Sequence, residues 1–264
     1  MNNSIYDQPQ PLVPPIPARP PAAGAESAGA AAFARDYRPY EAGRDPAHLV
    51  DRLLKRPGQV AWEVCAGRRE RMLPALLAVV TVALLGYGVL VGSFSGGWQY
   101  VAAPLKVLGG LLASALICLP SLYIFSCLTG NRLALPAVAA LLTQSLSITG
   151  ILLAGFAPVA WIFAQSTHAP AFMGALHWAF WLCAFLLGAR QLRMALAHHN
   201  EGRAPLFGLW CVIFLVVVLQ MSTALRPLLG RADTFLPAEK KFFLTHWGYC
   251  SQDQGKNAKS NSSR

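Results

Sequence analysis

From Arg71 to Asn200 this chain contains no aspartate or glutamate and only five cations, Arg71, Lys106, Arg132, Arg190 and Arg193. All twelve carboxylates lie at or before Glu70 or at or after Glu201. A soluble domain keeps about a quarter of its residues charged, whereas here 13% of 264 residues are charged and 55% are hydrophobic. Such a stretch is solvated by lipid tails and does not read as the surface of an ordinary water-soluble enzyme.

Five apolar runs divide the stretch: Met72 to Val91, about Ala103 to Leu128, about Leu135 to Phe163, Ala171 to Leu187, and Leu206 to Leu225. Each is near the roughly 20 residues that cross about 30 Å of hydrocarbon as a helix. The first holds six Leu and five Val, which together favour insertion by about 3 to 7 kcal/mol. The expected fold class is therefore all-α, a polytopic integral membrane protein with a five-transmembrane-helix bundle. In the third run, Pro158 is expected to bend the helix so that Val159 to Phe163 follow the outer interface.

Residues 1 to about 44 carry seven prolines between Pro9 and Pro21, then an Ala/Gly stretch, and are expected to form a disordered cytoplasmic tail. Pro14 to Arg19 fits the spacing of a polyproline ligand, but such matches are common in proline-rich segments and an extended linker is the expected reading. Asp45-Pro46 is a helix start. Leu49, Val50, Leu53 and Leu54 then share a face before Pro57-Gly58 breaks the helix. A second amphipathic piece carries Val60, Ala61, Trp62 and Val64. Residues 45 to 71 are read as interfacial helices, with Arg52, Lys55, Arg56, Arg68, Arg69 and Arg71 toward headgroup phosphates. Docking on another part of the protein is the alternative. After the last run, Phe235 to Trp247 is too charged to cross, and its Lys240, Lys241 and Trp247 mark another interfacial segment.

Ten of the 22 Lys and Arg residues precede the first run. Their expected partners are the lipid bilayer and its anionic headgroups, not nucleic acid. The flanking cations alternate as an N-terminus in the cytoplasm requires, apart from the basic tail after the fifth run. Composition points to a bacterial cytoplasmic membrane, and the N-terminus lacks the pattern of a cleaved signal peptide. The six cysteines contain no CxxC pair, so neither a disulfide framework nor a zinc site is expected. His198 and His199 lack the spacing of a helical metal site and read as a solvated loop.

Polar groups that persist in lipid are turned toward other helices or a wet cavity. Counted along the runs, Tyr87, Lys106, Ser147, Thr149, His177 and Gln220 all fall in the outer half. Tyr87, Lys106, Thr149, His177 and Gln220 form the candidate intramembrane polar site, a small vestibule walled by Trp178 or Trp181. The alternative gives each a structural role: Lys106 snorkels, His177 and Trp178 join the aromatic belt, and the hydroxyls bond to their own helices. Gln144 is a candidate partner for Gln220. Gly109 with Ala113 and Gly110 with Ser114 give the second run a small-residue face. No acid, base or metal cluster suits catalysis, and no cofactor motif is present, so the chain is read as non-enzymatic.

The proline-rich head, the stretch Leu53-Leu54-Lys55-Arg56-Pro57 with Trp62-Glu63 after it, five closely spaced runs, and Ala103-Pro104-Leu105-Lys106 opening the second together resemble bacterial proteins of the Yip-domain class. The resemblance covers about residues 48 to 225. It implies a five-helix bundle with a cytoplasmic N-terminus. The role expected of the chain is that of a membrane-organising or assembly factor, with a protein partner met through the proline-rich tail. A small-solute channel or transporter subunit using the outer-half polar residues is the alternative. The basic tail after Arg226 departs from the family's pattern.

Overall fold

The computed structural model describes residues 25–39, 46–66, 69–95, 99–166, 170–199 and 205–224. The proline-rich segment, the Asp45 helix start, Arg68, and the tail with Lys240, Lys241 and Trp247 lie outside the described residues. Regular structure among the described residues is entirely α-helical, in the order α1 (Ala25–Asp36), α2 (Pro46–Lys55), α3 (Pro57–Cys65), α4 (Arg69–Ser95), α5 (Gln99–Leu128), α6 (Leu135–Ser166), α7 (Pro170–His198) and α8 (Phe207–Ala224).

Helices α4 to α7 contain 27, 30, 32 and 29 residues, about 40 to 48 Å at 1.5 Å per residue. These four are long and apolar enough to cross a membrane. The fifth apolar run forms α8, also apolar but only 18 residues long. Pro158 does not end its segment: α6 continues through it to Ser166. The apolar run persists on both sides of the proline, so neighbouring turns keep the helix going.

The bundle is ordered α8, α5, α4, α6, α7, each packing on the next. Lipid gives helices no hydrophobic reason to associate, so close approach at small residues matters. A side chain at Gly88 would strike the backbone of Pro104, joining α4 to α5. Gly150 meets Val80, Ala83 and Leu84 of α4, and Gly188 meets Thr149 and Ser145 of α6. The expected small-residue face on α5 is only half correct: Gly110 and Ser114 are buried, but nothing approaches Gly109. Outward, Val82, Leu116, Ile117, Ile124 and Val212 are each more than half exposed. That apolar surface would be untenable in water and is unremarkable against acyl chains.

At α5's end the chain reverses tightly. Gly130, at φ 90°, takes the left-handed conformation that ends many helices. Asn131 N then donates to Ser126 O at 3.1 Å and Gly130 N to Cys127 O at 3.0 Å. The Asn131 side chain next accepts from Leu133 N at 3.0 Å, leading into α6.

Helices α1, α2 and α3 form a collar around one end of α4, α6 and α7. Part of the segment expected to be disordered is therefore helical: α1 occupies residues 25–36 and buries Phe33. Its alanines are the best helix formers, and Phe33 and Tyr37 supply an anchor that a scan for periodic apolar residues passes over. Helix α3 is a docked element, with Pro57, Gly58, Gln59, Val60, Ala61, Glu63 and Val64 all buried.

Candidate functional site

Of the five residues expected to line an intramembrane site, direct contact joins two. The Tyr87 hydroxyl, on α4, lies 2.7 Å from His177 Nδ1 on α7, with the rings edge to face at 5.7 Å between centroids. Tyr87 is buried and His177 half-buried. Imidazole Nε2 is buried and has no hydrogen-bond partner among the described residues. The contact puts both rings at one level of the bundle; that they face one another depends on helix rotation, which position along the sequence does not give.

Lys106 is buried on α5, two residues beyond Pro104, whose backbone touches Gly88 beside Tyr87. It thus shares the depth of the Tyr87–His177 pair. Thr149 is used otherwise: its hydroxyl donates to Ser145 O at 3.0 Å and lies 3.5 Å from Ala184 O, fastening α6 to α7. Ser147 likewise bonds Thr143 O at 2.8 Å and Leu76 O at 3.0 Å. Both hydroxyls are packing elements. Gln220 is exposed on α8. Gln144 is turned toward the collar instead, its Nε2 donating to Pro57 O at 2.8 Å.

Trp181, expected as a vestibule wall, begins an aromatic column. It stacks on Phe185 at 5.3 Å, Phe185 stacks on Phe214 at 5.4 Å, and Phe214 continues to Trp210 at 5.2 Å. Trp210 Nε1 donates to Cys118 O at 3.1 Å. The column runs from α7 through α8 to α5. The spacings of Trp181 with Phe185 and of Trp210 with Phe214 hold its signal in the sequence, four residues apart in each case and so on one helix face.

The collar gathers the other polar contacts. Arg52 on α2 donates to Glu63 on α3 at 2.7 Å, with side chains 11% and 7% exposed. Arg52 is therefore an internal ion-pair member and does not reach outward as expected. Lys55 is exposed and bridges Asp51 one turn back at 2.6 Å; Arg56 and Arg71 are exposed and Arg69 half-buried. His198 and His199 are not in a solvated loop. Tyr37 from α1 lies 4.3 Å from the His198 ring, and its hydroxyl is 2.9 Å from His199 Nε2.

Burial raises the Tyr37 phenol and the Cys65 thiol above their ordinary ranges, Tyr37 and Arg69 partly opposing the rise at Cys65. Burial and then the neighbouring His198 lower His199. These shifts keep Tyr37, Cys65 and His199 uncharged at neutral pH. Among the described residues, no three His, Cys, Asp or Glu side chains come together as metal ligands. The chain matches no family model, no curated protein and no solved structure.

Proposed function

We propose that this is a non-enzymatic, multi-pass membrane protein of the Yip-domain-like class that organises or assembles other components at a membrane surface. In this reading α8 is a fifth, short crossing. The collar end lies in the cytoplasm of a bacterium, because Arg69, Arg71, Arg132 and Arg193 gather there and the loop-flanking cations follow the positive-inside rule.

The observation that carries the reading is the collar itself. Three helices bury Phe33, Leu49, Leu53, Val60 and Val64 against one end of an apolar bundle, while Asp51, Lys55 and Arg56 stay exposed. This makes a polar platform at the surface, and the proline-rich tail is the part offered to a protein partner.

A second reading, a small-solute transporter subunit, draws on the Tyr87–His177 pair with its open Nε2. Two variants separate the two readings. Removal of residues 1–44 should abolish cross-linking to partner proteins in native membranes and leave solute flux unchanged. Lys106→Leu with Gln220→Leu should leave those cross-links intact; loss of a measured flux in that variant would favour transport and overturn the assembly role.

A further inference from the structure

Beside the collar, α2, α6 and α7 enclose a cleft of about 140 Å³ lined by Leu53, Leu54, Ile148, Leu152, Leu187, Arg190 and Gln191. Its lining is sorted by chemistry. Five side chains are aliphatic, and the two polar ones are consecutive on α7. From Pro170 to Ala189 that helix has no charged residue, about 30 Å of uncharged helix, so Arg190 falls where hydrocarbon gives way to headgroups.

Leu54, Leu186 and Leu187 are 47%, 57% and 42% exposed, and Leu182 extends the same face of α7 away from Arg190. An apolar track thus leads from the membrane to the cleft, with a guanidinium at its end. The guanidinium is positioned: it rests against Gly29 of α1, in space any larger residue there would take. Gln191, half-buried, lines the cleft beside it.

We propose that this cleft is a binding site for an anionic phospholipid. Its phosphate meets Arg190, and the first part of one acyl chain lies between Leu54 and Leu187, with the remainder along Leu186 and Leu182. The cleft is too small for a whole lipid and is open toward the bilayer side, as such a ligand requires. Because α2 forms one of its sides, an occupant would bridge the collar to α7.

The test uses the full chain purified in neutral detergent and analysed by native mass spectrometry with added phosphatidylglycerol or phosphatidylcholine. Phosphatidylglycerol should be retained preferentially. Arg190→Gln should reduce that retention roughly fivefold, the loss of one cation–phosphate attraction. Leu54→Trp, at an exposed position that fills the cleft, should reduce it with Arg190 intact, whereas Arg132→Gln, in the α5–α6 loop, should not. Equal retention of the two lipids, or unchanged retention in both cleft variants, would overturn the proposal. So would full competition by inorganic phosphate, which would reduce the site to a simple anion site, or protection of the cleft only by a co-purifying polypeptide.

Discussion

Arg52 and Glu63 are joined at 2.7 Å across the α2–α3 turn, with both side chains almost wholly withdrawn from solvent. An exposed pair contributes little, but removing one member of a buried pair leaves its partner's charge inadequately solvated. Glu63→Ala should therefore destabilise the collar by about 3 kcal/mol. Hydrogen exchange should show α2 and α3 losing protection while α4 to α7 keep theirs, and Glu63→Asp should restore part of the loss.

The contact between α1 and α7 should depend on pH. His199 is held neutral in the folded state, its pKa depressed by burial and by His198, while the unfolded chain takes up a proton near pH 6.5. The contribution is full above that pH and is lost as pH falls through the depressed folded value. Acidification below about pH 6.5 should raise hydrogen exchange in residues 25–39 before the rest of the collar. His199→Phe should remove that dependence.

Tyr87→Phe deletes the hydroxyl that meets His177 without changing the ring. Hydrogen bonds between membrane helices are modest, so the expected loss is about 0.6 to 1 kcal/mol, read as a shift in unfolding by denaturing detergent. In a double-mutant cycle with His177→Leu the two losses should not add.

Gly188 and Gly88 should tolerate little. A Cβ at Gly188 would crowd the Thr149 hydroxyl and lie 2.8 Å from Ser145 O, so Gly188→Val should cost roughly 1 to 3 kcal/mol. Gly86→Val, where nothing lies within 4 Å, should be nearly neutral. Thermal unfolding in detergent compares them.

The four long helices were legible in the sequence because lipid imposes one strong requirement, a long apolar run, which residues meet individually. The break at Pro57 and the depths of Tyr87 and His177 were legible for similarly local reasons. The collar was not. Gln59 and Glu63 are polar residues on a short amphipathic helix, and their burial depends on Arg52 and on Gln144 reaching Pro57 from 87 positions away. Helix α1 was missed because its alanines resemble linker composition until Phe33 and Tyr37 meet two histidines over 160 residues later. The grouping of five polar residues was too generous: depth is a property of sequence position, but the direction each side chain takes is set by helix rotation, which turned Thr149 toward its own helix and left Gln220 exposed.

The account's central claim is that α4 to α7 are covered by lipid. Spin labels at Val82 and Leu116, each 71% exposed, introduced one at a time into a cysteine-depleted chain in phospholipid vesicles, test it by collision with two quenchers. Oxygen, which partitions into hydrocarbon, should relax both labels strongly, while a water-soluble nickel chelate should not reach them. Ready relaxation of both labels by the chelate would place these helices in water and contradict the account.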